Sequence, residues 1–341
     1  MTAPGEQIIA VVVTYGDRES LLRQTLQATL DEGVGHCVLV DNGSTSDFAF
    51  LSQPRFAGWL TRIRLDRNTG SAVGFRVGME VALRREHPLI LLLDHDNVLT
   101  KGCVSVLFRQ LTKLQSETDT RPIAVLAYRP TVFGSFVSDY ANATLTNQKS
   151  SFLGFNYSDL PKKLRKRRLP ALCHPELVVP RLIARNFGPY GGMLFYSCLI
   201  PEIGLPNSDF VLYSDDYEFT NRIALRGGGL WLVMDAVVND VILEERGISR
   251  SKLSKIPLIG HILTKEPDSS VYYLVRNSIF FERHVCKREG VSYWINATIY
   301  LIALIGIALI CGKKARAALL ARATLDGFYQ KLGTNIQYLL H

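Results

Sequence analysis

Asp94, His95 and Asp96 follow five consecutive aliphatic residues at 89–93, with no turn signal between. A short all-apolar run is a strand buried on both faces, the kind found in a parallel sheet. The two carboxylates then stand where that strand leaves the sheet, the edge at which open α/β sheets bind ligands. Two oxygen donors one residue apart suit a hard cation such as Mg2+ or Mn2+, which commonly bridges to phosphate. By itself the tripeptide reads equally well as a solvated loop with an N-cap aspartate. A second cluster, Asp215, Asp216 and Glu218, places three carboxylates within four residues. It reads as the first turn of a helix with Ser214 or Asp215 as N-cap. A cap uses one carboxylate and leaves another for proton transfer. Glu218 and Arg222 are four apart and can pair on one helix face.

These residues need a scaffold, and the apolar runs supply one. Buried-strand runs at 8–15, 36–41, 61–65 and 123–127 join that at 89–93. Between them lie helical stretches: residues 18–32 carry Leu21, Leu22, Leu26 and Leu30 and end at Gly33 and Gly35, and another runs from 70 to 85. Strands alternating with helices imply right-handed βαβ units and a parallel sheet. Gly70, Gly74 and Gly78 share one helix face, which reads as tight helix-on-sheet packing ahead of phosphate approach. Their spacing is not the dinucleotide fingerprint. A glycine pair, Gly191 and Gly192, precedes a further strand, and a longer one covers 230–238.

The chain of 341 residues is 47% hydrophobic and 21% charged, enough for a sizeable core in one large or two modest domains. A net charge of +8 attracts an anionic partner: a nucleotide, a membrane or a nucleic acid. Residues 162–168 hold six cations in seven positions, read either as a solvated loop or as a patch for anionic lipid headgroups. No aromatic residue interrupts that run, which argues against nucleic acid. Six scattered cysteines without Cys-x-x-Cys, and no signal-peptide pattern at the start, point to a reducing, cytoplasmic setting. Residues 291–311 form the longest uncharged stretch, long enough to span a bilayer. A simple span would carry Lys313, Lys314, Arg316 and Arg322 to the far side, against the positive-inside tendency. Monotopic or interfacial attachment is therefore favoured over a span, the remaining alternative being a helix buried in the protein or in an oligomer contact.

Taken in order, several segments resemble the family 2 glycosyltransferases with the GT-A fold, especially bacterial rhamnosyltransferase-like members. They are Val13-Thr14-Tyr15, Asp41-Asn42-Gly43-Ser44, Asn68-Thr69-Gly70, Asp94-His95-Asp96, Gly191-Gly192 and Asp215-Asp216-Tyr217-Glu218 with Arg222. Arg276-Asn277 and Asp326-Gly327 look like the family's tail. The resemblance implies an α/β fold, a GT-A (Rossmann-like) mostly parallel sheet flanked by helices. Residues 1–270 would form that domain, with a nucleotide-sugar half at about 1–130 and an acceptor half at about 131–270. Residues 271–341 would be a C-terminal helical, membrane-associating region.

The resemblance also implies roles. Thr14, Tyr15, Asp41, Asn42, Asn68, Gly70, Asp94 and His95 would line the nucleotide-sugar site, with Asp41 accepting a hydrogen bond from the base. Asp94 and Asp96 would hold Mg2+ or Mn2+ on the diphosphate. Asp216 would be the general base, and Gly191, Gly192, Asp215, Glu218 and Arg222 would lie on the acceptor side. Family members often carry a histidine near the metal; Asp240 stands there in this chain and could replace it as an oxygen ligand. The implied activity is an inverting, metal-dependent transfer of a sugar, rhamnose among the options, from a dTDP- or UDP-linked donor to a lipid-linked surface glycan. It would take place on the cytoplasmic face of the inner membrane, with no nucleic-acid partner. Two alternatives stand beside it. A sugar nucleotidyltransferase would open with a glycine-rich loop carrying Arg and Lys, whereas this chain has Thr14-Tyr15-Gly16-Asp17. A degenerate, non-catalytic membrane-binding module would not need the carboxylates.

Overall fold

The computed structural model describes residues 4–85, 87–117, 121–133, 150–159, 180–241 and 267–340. The basic run 162–168 and most of the polar stretch 131–160 lie outside the described residues. By internal contacts the chain forms two units. One comprises described residues within 1–134, 180–251 and 333–341, the other those within 135–179 and 252–332.

The first unit holds the sheet. Its strands are β1 (Ile8–Thr14), β2 (His36–Asn42), β3 (Leu60–Leu65), β4 (Leu89–Asp94), β5 (Asn97–Leu99), β6 (Ile123–Tyr128), β7 (Leu182–Arg185), β8 (Met193–Tyr196) and β9 (Gly229–Asp240). Their order is β3-β2-β1-β4-β8-β6-β9-β5, with β7 also paired to β9. The α/β architecture expected from the sequence is the one the chain adopts. β1 and β2 are buried at every residue, and β4 at all but its last. That is why their sequences run apolar without alternation.

Strand direction decides what reaches the functional edge. β1, β2, β3 and β4 pair in parallel, with Thr14 beside Asp41 and Val13 beside Asp94. β8 runs antiparallel to both β4 and β6, and β9 is parallel to β6. The carboxyl ends of β6 and β9 therefore emerge on the same edge as Asp94, together with the amino end of β8, where Gly191 and Gly192 sit.

Helices α1 (Glu19–Asp31), α2 (Ser71–Leu83) and α3 (Cys103–Glu117) connect the early strands. α1 buries Leu22, Thr25, Leu26 and Thr29, one helical face. Glu32, just after it, accepts hydrogen bonds from the Gly102 and Val104 amides at 2.6 and 2.9 Å and so neutralises the start of α3. α2 lies directly on β1: a Cβ at Gly74 would meet Val13 Cγ1 at 2.7 Å, and one at Gly78 would collide with Val11. Those two glycines serve packing, as the spacing suggested. α4 (Leu199–Ile203) and α5 (Asp215–Leu225) complete this unit. Its last residues return to it, the Gly333 amide donating to the Asp209 carbonyl at 2.7 Å.

The second unit contains α6 (Asp268–Phe280), a π-helical turn at Phe281–Val285, α7 (Val291–Ile310), α8 (Lys314–Phe328) and residues 150–159. The tail motif packs α6 on α8. A Cβ on Gly327 would come within 2.6 Å of the Arg276 carbonyl, and Tyr272 donates to the buried Asp326 at 2.8 Å. α7 is inverted for a water-facing helix. Its buried face includes Asn296, which accepts from the Tyr157 amide and donates to the Ser150 carbonyl, both at 2.8 Å. Its other face leaves Val291, Trp294, Ile299, Ile302 and Ile310 exposed.

Candidate active site

Three elements bring acids together at the sheet edge. β4 ends in Asp94, the loop behind it carries Asp96, and α5 begins with Asp215 and Asp216. Asp94 and Asp96 are both partly open to solvent. Burial, then the charges of Asp96, Asp240 and Asp216, push the Asp94 carboxyl up to about 7, against the opposing pull of Arg129. The loop is fixed by Asn97, whose Oδ1 accepts from the Asp94 amide at 2.9 Å while its Nδ2 donates to Asp240 at 2.9 Å.

Among the described residues no group of three or more His, Cys, Asp or Glu side chains is arranged to hold a metal alone. Mg2+ and Mn2+ do not need one, since they are commonly held by one or two carboxylates with phosphate and water completing the shell. An acidic edge that raises its own Asp94 fits such a cation, with Asp94 and Asp96 as the residues that would hold it.

Asp240 ends β9 at the same edge. Its carboxylate is fully buried and accepts from Arg129 Nε at 2.9 Å, from Arg129 Nη2, from Thr131 and from Asn97. With both oxygens engaged it anchors Arg129. Arg129 itself went unread in the sequence. Its one signal was position, a cation directly after the aliphatic strand at 123–128. Burial opposes its charge, but Asp240, then Asp94 and Asp96, more than offset that and hold it above the ordinary arginine range.

Asp41, at the end of β2, is engaged from two sides. The side chain has 0% exposure, and it accepts from the Ser44 amide at 2.9 Å and from Arg62. Asn42 ties the neighbouring turn, accepting from the Thr69 amide at 2.9 Å and donating to the Gly70 carbonyl at 2.9 Å. Asn68 accepts from the Gly70 amide at 3.1 Å. Gly70 has φ +89°, and any Cβ there would collide with the Val211 carbonyl, so its glycine answers to a backbone approach.

Thr14 and His95 are buried, and each keeps a polar atom, Thr14 Oγ1 and His95 Nε2, without a hydrogen-bond partner. Burial holds His95 below its usual range despite Asp96 beside it. Tyr15 is exposed, its ring T-shaped to His95 at 5.3 Å and the Arg18 guanidinium 5.7 Å from its centroid.

α5 separates its carboxylates as adjacent helical positions must. Asp215 is buried and accepts from Ser71 Oγ at 3.0 and 3.1 Å. Burial, then the neighbouring Asp216, raise its pKa well above the carboxylate range. Neither Ser214 nor Asp215 caps the helix through its side chain; Ser214 lies in the left-handed region at φ 60°. The capping expectation fails because Asp215 turns inward to Ser71. Asp216 stays partly open, with Oδ1 accepting the Tyr217 amide at 2.8 Å. Glu218 and Arg222 pair at 2.8 Å, and Arg222 also donates to the Ile203 and Leu205 carbonyls. The loop before α5 is tightly wound. Val211, at φ 66° and ψ −65°, forms a γ-turn closed by the Leu212 amide on the Phe210 carbonyl at 2.8 Å, and its own carbonyl accepts from the Ala72 amide at 3.3 Å. Gly191 packs on the other wall, where a Cβ would strike Asn97 Oδ1 and come within 2.5 Å of Arg129 Nη1. Gly192, at φ +83°, donates its amide to the Leu92 carbonyl at 2.8 Å.

No protein-family model and no curated protein matches the chain. Among solved structures, GalNAc-T7 with UDP, GalNAc and Mn2+ is similar over 68% of this chain at 15% identity and a TM-score of 0.46. The chain spans 43% of that protein's length. Residues 1–349 of S. aureus TarS are similar over 95% of this chain and 91% of theirs, at 12% identity and a TM-score of 0.45. Both scores lie below 0.5, and identity at this level says nothing of a shared substrate.

Proposed function

We propose that the chain is a metal-dependent, inverting glycosyltransferase of the GT-A kind, moving one sugar from a UDP- or dTDP-linked donor to a glycan hydroxyl. The observation that carries this reading is the meeting of two differently prepared acid pairs at one sheet edge. Asp94 and Asp96 stand at a strand end where oxygen donors can hold Mg2+ or Mn2+ on a diphosphate. Asp215 and Asp216 stand at a helix start, within electrostatic range of Asp94. The bound cation would supply charge neutralisation for the leaving diphosphate. The chain's own part is proton handling and orientation. Asp216, kept from the interior, takes the acceptor hydroxyl proton on its carboxylate as that oxygen attacks the anomeric carbon. Asp215, lifted by burial and tied to Ser71, is unsuited to that task and fixes the start of the helix. Glu218 and Arg222 brace the first turn against the Ile203 and Leu205 carbonyls.

The acceptor is proposed to be lipid-linked, and the enzyme to sit on the cytoplasmic face of the inner membrane. Support comes from α7, a 20-residue helix with mean hydropathy 2.0 whose 18-residue apolar window is 33% buried. It buries an asparagine and exposes isoleucines, the reverse of a helix adapted to water. Trp294 and the exposed Lys287 and Lys314 near its ends suit an interfacial helix. Labelling of single cysteines in the 313–340 tail, in sealed inverted vesicles, tests this; a tail reachable only from the far side sinks interfacial attachment.

The activity is tested by donor turnover. A panel of nucleotide-sugars is screened for thermal stabilisation with Mn2+, since ligands of the native state raise its apparent stability. Hits are then assayed for hydrolysis and transfer with and without chelator. Binding without turnover for every donor would favour a non-catalytic module.

A further inference from the structure

We propose that Arg129 is a diphosphate-binding residue, a fixed cation of the protein's own that works beside the metal site. The inference rests on the nucleotide-diphosphate reading of the edge, and its observations are separate from those that carry that reading.

Arg129 follows β6, and β6 ends on the same sheet edge as β4. The guanidinium is buried, with 7% exposure. Two of its nitrogens, Nε and Nη2, are taken by Asp240 Oδ1. Asp240 is held in turn by Thr131 and Asn97, so the anchor cannot swing. The third nitrogen, Nη1, makes no hydrogen bond to the described residues. It lies beside Gly191, where a Cβ would meet both Nη1 and the Asn97 Oδ1 that holds the Asp94 amide. The absence of a side chain at residue 191 leaves that nitrogen its space.

A guanidinium clamped on one side by a carboxylate presents its remaining N–H groups in a fixed direction. That is the arrangement that suits phosphate oxygens, and a lysine cannot reproduce it. A buried ion pair is costly to build when hydrophobic groups would pack as well. An edge already crowded with acids has a use for one, because it needs positive charge where a diphosphate with two or three negative charges must come to rest. Arg129 offers charge that needs no reorganisation when the leaving group separates.

The test uses the full chain and four probes, UDP, dTDP, uridine and inorganic pyrophosphate, each titrated calorimetrically with chelator and with Mn2+. Arg129→Lys keeps the charge but cannot hold Asp240 and a phosphate together. It is expected to weaken UDP and pyrophosphate binding in chelator at least ~10-fold and to leave uridine binding unchanged. Folding is checked by the melting curve. If the lysine variant does not fold, the double variant Arg129→Met, Asp240→Asn removes the ion pair as a unit and is read the same way. A folded variant that binds UDP and pyrophosphate as the wild type does overturns the proposal. So does a loss equal for uridine and UDP, which would make Arg129 a structural prop. A wild type that binds pyrophosphate through Arg129 but binds neither nucleotide keeps this inference and sinks the nucleotide-sugar reading. UDP binding that ignores Arg129 does the reverse.

Discussion

Two aspartate sites in this molecule are balanced in opposite ways. In the helical unit, Asp326 is surrounded by donors: Tyr272 at 2.8 Å, Arg322 at 2.9 Å, and Lys331 at 4.0 Å. One acid is met by two cations and a hydroxyl, and Gly327 beside it lets the helices close. At the sheet edge, Asp94, Asp96, Asp215, Asp216 and Asp240 share electrostatic space, and Arg129 is the cation that opposes them at Asp94. Asp240 binds that cation directly, Asp215 accepts from Ser71 and Asp216 from the Tyr217 amide, and like charges still raise Asp94 and Asp215. A surplus of like charge costs stability, so its presence where a neutral edge would fold better marks a site shaped for a ligand. The first cluster is matched by cations, and the second carries an excess of acid.

The contrast can be broken by experiment. The largest effect is expected from Asp94→Asn or Asp96→Asn, which should lower Mn2+-dependent donor turnover by about 10³-fold. The melting temperature should hold or rise, because repulsion at the edge is relieved. Turnover at the wild-type level would return both residues to ordinary loop carboxylates. Next comes Asp216→Asn, expected to lower kcat by at least ~10²-fold with donor affinity unchanged, while Asp215→Asn loses less. A dead Asp215→Asn enzyme beside an active Asp216→Asn one would show that the base sits on the buried carboxylate after all. Asp326→Ala probes the other cluster. Removing one partner of a buried charged group should cost ~3 kcal/mol in denaturant unfolding, with the turnover of folded molecules preserved. Intact stability with lost turnover would dissolve the distinction between the clusters.

The smallest effect concerns pH. Burial, then the charges of Arg85 and His87, lower His36 to about 4, and its Nε2 lies 3.0 Å from Thr61 Oγ1. The folded protein therefore favours the neutral ring more than the unfolded chain does. Its contribution to stability is complete above about 6.5, the usual histidine value, and is lost as pH falls through the interval down to about 4. Urea unfolding between these limits should show a slope with pH that His36→Gln flattens. An unchanged slope assigns the pH dependence to other groups.

Much of this was legible in the chain itself. The runs before Thr14, Asp41 and Asp94 are apolar because both faces of their strands are covered, and that pattern is local. The i, i+4 pairing of Glu218 and Arg222 is local too. What escaped was long-range. Arg129 and Asp240 are 111 positions apart, and nothing near either one marks the other. Asp41 reads as a strand-end acceptor, and nothing near it announces Arg62 on the next strand. The antiparallel course of β8, which carries Gly191 to the site from its amino end, has no signature in a four-residue strand. Ser214 looked like a helix cap because serine is a good one, and the loop before it imposed a left-handed backbone that denied the hydroxyl that use.

That loop limits how the protein can be improved. Val211, Tyr213 and Ser214 all have positive φ, at 66°, 66° and 60°, a region costly for residues with a Cβ and for a β-branched one above all. The Ala72 amide donates to the Val211 carbonyl, which lies against Gly70. A search for stabilising substitutions would be drawn to these positions first, since glycine would relieve each of them. It would also slacken the segment that aims Asp216. The positions that promise the easiest gain in melting temperature are thus those an engineer should leave alone, and tolerance to heat and speed of turnover are set against each other within five residues of the proposed base.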